Sequence, residues 1–278
     1  MSRMSLTRAR AATGACAAAA ILLLVPACGS DDDSGDKGGK SGKGDKEVAG
    51  DSTSDLSARE ISDKAKRELL DARSVHLRLT DKGTDVEKDD PASVDLTLDR
   101  DGNCVGKLTF GTGGGSADLV KRGDKVWMKP DSAFWRTQVP NGGGAAAAEL
   151  FKNRYIHGST TDPMLKGLAE VCDLRELQDS VADDSDGSDD DVRNLKKGEV
   201  TTVDGTKVIP LTATDDGKEK TLYVAAEGKP YLLRATEKGD GEDKTTILSD
   251  YDEPVPTRTP SADESVDIAK LKERLQRT

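Results

Sequence analysis

Ser74-Val75-His76-Leu77-Arg78-Leu79 and, further on, Val94-Asp95-Leu96-Thr97-Leu98-Asp99 alternate apolar and polar side chains at every step. Successive side chains of a β-strand point to opposite faces. This period of two therefore puts Val75, Leu77, Leu79, Val94, Leu96 and Leu98 on one face, and His76, Arg78, Asp95, Thr97 and Asp99 on the other. Strands with a single apolar face belong to an antiparallel sheet covered on one side and wet on the other. Segments 104–110, 116–122 and 124–129 continue the series and add Leu108 and Phe110 to the apolar set. Asp101-Gly102, the glycine-rich run 111–115 and Arg122-Gly123-Asp124 join them, and connections this short allow only antiparallel neighbours.

On the N-terminal side, Ser57-Ala58-Arg59-Glu60 has the spacing of a capping box, and Leu56, Ile61, Ala65 and Leu69 fall on one helical face. On the C-terminal side, 145–151, 162–171 and 173–181 have helical spacing, with Asp162-Pro163 as cap and first-turn pair. Residues 183–191 hold six aspartates in nine positions and read as a solvated loop. Strands resume at 196–203, 207–213, 220–225, 230–237 and 244–251, punctuated by Asp204-Gly205, Asp216-Gly217 and Glu227-Gly228. The reading is one α+β domain over 56–255, with about ten antiparallel strands. Beyond Pro254-Val255-Pro256 lies a tail, 256–278. There Ser261-Ala262-Asp263-Glu264 repeats the capping-box spacing ahead of Ile268, Leu271 and Leu275 and predicts a short helix.

The chain opens differently. Arg3, Arg8 and Arg10 precede an uncharged stretch, 11–25, that ends in Ile21-Leu22-Leu23-Leu24-Val25. A membrane-crossing helix needs about 20 residues, so a basic head with a shorter apolar run reads as a secretory signal over 1–27. Val25-Pro26-Ala27-Cys28 resembles the box at which bacterial lipoprotein signals are cut before an acylated cysteine. Diacylation of Cys28 implies stable anchoring, since two acyl chains suffice where one is marginal. Removing 1–27 takes away three arginines and no acids, leaving 38 basic against 52 acidic groups and a net charge of -14. Attraction to anionic headgroups is then weak, and the lipid does the holding. Residues 28–55, made of Asp, Ser, Gly and Lys, lack the apolar content to order and read as a disordered tether.

The acidic balance, 52 Asp and Glu against 41 Lys and Arg, argues against nucleic acid, which calls for a basic face. His76 and His157 are the two histidines of the sequence, so imidazole catalysis and multi-histidine metal sites have little to draw on. The 111–116 run lacks a third dinucleotide-binding glycine, there is no Gly-x-Ser-x-Gly elbow, and the 184–195 aspartates miss the calcium-loop spacing. Neither catalytic residue nor cofactor nor metal is expected. With Cys16 lost in the signal and Cys28 acylated, Cys104 and Cys172 remain. In an oxidising compartment they read as a disulfide, the other reading being two buried thiols. Two Trp, four Tyr and three Phe are few large side chains for ten strands. The sheet then either leaves a cavity under its helices or packs solid on small residues, and composition does not choose.

The block Gly123-Asp124-Lys125-Val126-Trp127-Met128-Lys129-Pro130-Asp131-Ser132-Ala133-Phe134-Trp135 resembles the LppX/LprAFG family of actinobacterial lipoproteins, which share a LolA-like fold. Ala72-Arg73-Ser74-Val75-His76-Leu77, the 95–99 strand and Ser249-Asp250-Tyr251-Asp252-Glu253-Pro254-Val255 add to the likeness. The resemblance implies a strongly curved antiparallel sheet, a half-barrel. Helices would cover its concave face and enclose an apolar chamber that in the family carries glycolipids or phospholipids. At Asn153-Arg154-Tyr155-Ile156-His157 the chain departs from an aromatic-rich step of that family, which implies an altered acyl pocket. The expectation is an extracytoplasmic, membrane-anchored lipoprotein. It would bind lipid non-covalently through Val75, Leu77, Leu79, Val94, Leu96, Leu98, Leu108 and Phe110. The rival is a surface sensor or protein-interaction module with a filled core.

Overall fold

A computed structural model describes residues 53–88, 90–139, 142–183, 194–215 and 217–270. The signal over 1–27, Cys28, most of the tether and most of the aspartate run lie outside the described residues. A short 3-10 helix, Thr53–Asp55, opens the described chain with Thr53 buried. Order thus begins inside the stretch read as tether.

The helices are α1 (Ala58–Asp71), α2 (Ser132–Gln138), α3 (Gly144–Leu150), α4 (Lys166–Glu170) and α5 (Leu174–Asp183). The strands are β1 (Ser74–Asp81), β2 (Pro91–Asp99), β3 (Cys104–Phe110), β4 (Ser116–Arg122), β5 (Lys125–Pro130) and β6 (Tyr155–Ser159). They continue with β7 (Lys196–Lys197), β8 (Thr201–Val203), β9 (Thr206–Asp215), β10 (Lys218–Ala225), β11 (Leu232–Gly239), β12 (Glu242–Ser249) and β13 (Ser265–Asp267). All join one unclosed sheet of 13 strands in the order β13-β6-β5-β4-β3-β2-β1-β12-β11-β10-β9-β7, with β8 also on β9. The class is α+β, as expected, with more strands than the ten anticipated. The sheet is mixed rather than purely antiparallel, because β13 runs parallel to β6.

Pairing registers carry the apolar rows straight across the sheet. One row runs Ile156, Met128, Leu119, Gly106, Leu96, Leu77, Leu248, and the next runs Ala117, Leu108, Val94, Leu79. Because a one-residue slip would turn every such side chain to water, this alternation fixes the register. The helices lie on this face. Ile61, Ala65 and Leu69 of α1, Trp135 of α2, Ala148 of α3, Ala169 of α4 and Val181 of α5 share one buried cluster with Val75, Leu96, Leu98, Leu108 and Leu119. The capping box of α1 forms as read, Ser57 Oγ accepting from the Glu60 amide at 3.3 Å and Glu60 Oε2 accepting from the Ser57 amide at 2.8 Å.

Gln178 of α5 donates to the carbonyls of Leu69 and Ala72, both at 2.9 Å, and accepts from Arg100 Nε at 3.1 Å. These bonds give the Leu69 and Ala72 carbonyls at the end of α1 a side-chain donor and dock α5 on it. Cys104 and Cys172 form a disulfide with Cα atoms 5.5 Å apart, linking the start of β3 to the α4–α5 connection. Asp162-Pro163 does not start a helix at 162. Asp162 Oδ1 accepts the Met164 amide at 3.0 Å in a local turn, and α4 begins at Lys166.

The tail departs most from expectation. The Ser261–Glu264 capping box forms, with bonds of 2.8 and 3.3 Å, yet the turn it closes leads first into β13, and helical residues begin only after it, at 268–270, where the expected Ile268 stands. Tyr155 donates its amide to the Glu264 carbonyl at 2.9 Å. An open sheet edge at β6 offers this segment backbone partners, which the helix reading left out of account. Ile268 follows, 4% exposed in the core. The chain reaches this edge from β12, six strand positions away, as a strap fixed at its start where Asp252 donates its amide to the Ser74 carbonyl at 3.0 Å. Leu271 and Leu275 lie outside the described residues.

Candidate functional site

The sheet positions the eight residues read as a ligand wall in two groups. Val75, Leu96, Leu98 and Leu108 are 0 to 1% exposed and Leu77 is 9% exposed, all within the main core cluster. A side chain beside a void large enough for water keeps accessible surface, so the first four touch no such void here. Leu79, Val94 and Phe110 are half-buried and sit toward the other end of the same strands. Of the eight, then, these three and, to a small extent, Leu77 keep solvent-accessible surface.

Phe110 begins a run of aromatic rings that covers this end. Its ring centroid is 5.3 Å from Phe134, Phe134 is 6.0 Å from Trp135, and Trp135 stacks on Phe151 at 5.2 Å. Two local devices hold α2 there. Asp131 caps the helix by accepting the Phe134 amide at 2.8 Å, and it also accepts the amide and hydroxyl of Ser116 in β4, both at 3.0 Å. Burial pushes this carboxyl up, but the amides of Phe134 and Ser116 and the Ser116 hydroxyl outweigh it and leave it below its ordinary range. At Gly115, where φ is +83°, a Cβ would strike the Phe134 amide and the Asp131 carboxylate, so only glycine lets α2 sit this close.

Trp135 is 4% exposed and its indole nitrogen is buried with no hydrogen-bond partner among the described residues. Unpaired buried donors cost roughly 1–3 kcal/mol. The rings of Phe134 and Phe151 flank the indole, with centroids 6.0 and 5.2 Å away. In the sequence Trp135 stands out only as part of a motif, without a role. What singles it out is a tryptophan on a helix facing an apolar sheet, where the N–H needs an acceptor.

Two further places hold polar side chains together. On the outer face His76 Nε2 lies 2.7 Å from Asp95 and Nδ1 lies 3.2 Å from Asp250, with Ser249 Oγ 3.4 Å from Nδ1. These contacts tie β2, β1 and β12 on the side away from the core. At the β6–β13 edge a cavity of about 290 Å³ is bordered by Arg154, His157, Ser265, Asp267 and Lys270. The sequence signalled this edge only as a departure from a family pattern. Among the described residues no group of three or more His, Cys, Asp or Glu is arranged for a metal, and no helix is long and apolar enough to cross a membrane.

A scan against protein-family models finds no match, and neither does a search of the curated proteins. Among solved structures the chain is similar in shape to LprF from Mycobacterium bovis, at 16% identity and TM-score 0.49, covering 74% of this chain and 97% of that one. It is similar also to the lipoprotein LppX of Mycobacterium tuberculosis, at 14% identity and TM-score 0.43, covering 72% and 97%. At these values the likeness concerns the course of the chain, and the site has to be read from its own residues.

Proposed function

We propose that the protein is an extracytoplasmic lipoprotein, anchored through acylated Cys28, that holds an acyl lipid between the apolar face of its sheet and α2–α3. The observation that carries this reading is the buried, unpartnered indole N–H of Trp135 within the Phe110–Phe134–Trp135–Phe151 cluster. A ligand that is apolar over most of its length and carries an ester or amide carbonyl satisfies both features of that place. The sealed end at Val75, Leu96, Leu98 and Leu108 forms the floor. Leu79, Val94 and Phe110 form the approach, opened by displacement of α2–α3, two helices joined through the glycines at 142–144.

Trp127→Phe leaves Trp135 as the single tryptophan and makes its emission a direct reporter. Titration with a long-chain acyl ester should change that emission saturably. Trp135→Phe should weaken ester binding about fivefold, the worth of roughly 1 kcal/mol for a neutral hydrogen bond, while leaving binding of a plain alkane unchanged. Absence of saturable binding of either probe contradicts the reading. A second reading, a protein-interaction module, is favoured by the closed floor together with Leu150 and Met164, which are 62% and 53% exposed on the helical side. It predicts that neither probe binds and that Leu150→Asp abolishes capture of a partner.

A further inference from the structure

We propose that the cleft between β6 and the C-terminal strand is an anion site, one that takes a phosphate group through Arg154, His157 and Lys270. The chain carries a net charge of -11, yet these three nitrogen-bearing side chains border one cavity of about 290 Å³. Each is held in place without being used up. Arg154 donates one Nη2 bond to the Ser265 carbonyl at 3.0 Å, which fixes the plane of its guanidinium and leaves its other N–H groups free for a bidentate acceptor. His157 packs against Trp127, ring centroids 5.9 Å apart, and its ring nitrogens bond to none of the described residues. Lys270 is exposed, and among the described residues only its amide is engaged.

One carboxylate shares the cleft: Asp267 accepts the Lys270 amide at 3.1 Å and keeps its charge. Glu264 accepts the Ser261 amide at 2.8 Å and lies 3.4 Å from Arg258. Against the Asp267 carboxylate stand a planar donor fork, an imidazole and an ammonium. That set suits a tetrahedral oxyanion better than a cation or an apolar chain. Docking of β13 builds the site, since His157 lies in β6 and Arg154 immediately precedes it, while Ser265, Asp267 and Lys270 come from the tail. This inference stands apart from the lipid reading, because the cleft lies at the sheet edge and needs no chamber. Phosphate chemistry has two sources here, free inorganic phosphate or the headgroup of an anionic lipid in the membrane to which the chain is tied.

Because the chain has two histidines on different parts of the sheet, imidazole proton signals read the site and a control together. In the full chain at constant ionic strength, inorganic phosphate should shift the His157 signal saturably and leave His76 unmoved. Arg154→Gln should weaken the response at least tenfold. Lys270→Gln, which removes an exposed side chain with no bond to lose, should weaken it about threefold and guards against unfolding of the arginine variant. Vesicles of phosphatidylcholine with and without phosphatidylglycerol separate the sources. A His157 response confined to the anionic vesicles, and lost in both variants, assigns the site to a headgroup. No saturable His157 response to either probe overturns the site, as does an equal shift of both histidines or a response that both variants retain.

Discussion

Gly106 shows how tightly the apolar face is built. It stands in the row between Leu96 and Leu119, and a Cβ there would collide with the Asp95 carbonyl oxygen of the neighbouring strand. Gly106→Ala should therefore cost about 1–3 kcal/mol in urea unfolding, with activity toward any ligand reduced only through stability. Tyr251 gives a pH signature. Its hydroxyl donates to the Leu232 carbonyl at 2.6 Å and its ring stacks on Tyr231 at 4.2 Å. Burial, with smaller contributions from Tyr231 and Glu68, pushes the phenol well above its ordinary value of 10. Since the unfolded phenol ionises near pH 10 and the folded one does not, stability is whole below that pH. Above it, stability falls by up to about 1.4 kcal/mol per pH unit from this group. Tyr251→Phe should flatten that alkaline slope, and a slope identical to the parent's would show that the phenol does not titrate so. Residue positions of this kind were half legible. The alternation put Val75, Leu77, Leu96 and Leu98 on the core face from sequence alone. Trp135's orphaned N–H and the convergence of Arg154 with Lys270 depend on which elements meet, and no local pattern encodes that.

At the scale of elements, strands with a period of two and turns with glycine at positive φ were read nearly residue for residue, as β3 and β4 show. Short β6 escaped, because in Tyr155-Ile156-His157-Gly158-Ser159 only Ile156 marks the apolar face. β13 escaped for a different reason: its capping box is a true local signal, but the edge of β6 competes for the next three residues and wins. If that account holds, Ile268→Ala should destabilise by about 2–4 kcal/mol and Ile268→Asp should release the strand. Faster amide hydrogen exchange at Tyr155, whose amide is held by the Glu264 carbonyl, is the check. The Cys104–Cys172 bridge is the covalent counterpart of this docking, closing 68 residues between β3 and the helical layer. Replacing both cysteines by alanine should cost about 2–5 kcal/mol, read from the denaturation midpoint against the parent, while recovery of Cys104 and Cys172 as two free thiols on non-reducing mapping would deny the bridge.

At the scale of the molecule, the described residues form one open sheet of 13 strands whose apolar side is covered by helices, and whose far edge is completed by the chain's own tail. The sequence carried the α+β class and the one-sidedness, since both follow from alternation and turn chemistry. It did not carry the width of the sheet or the state of its interior, since both depend on side chains that meet across distant strands. Anchoring belongs to this scale as well. Cys28→Ser should move the protein from the membrane fraction to the soluble fraction, and continued partitioning with membranes would refute attachment through that residue. The soluble Cys28→Ser chain then allows the most direct test of the whole account, native mass spectrometry of protein taken from its host envelope and again after exposure to lipid vesicles. The account predicts a bound mass in the range of one acyl lipid, displaced by excess acyl ester and diminished in Trp135→Phe. A bare chain mass before and after exposure would contradict it.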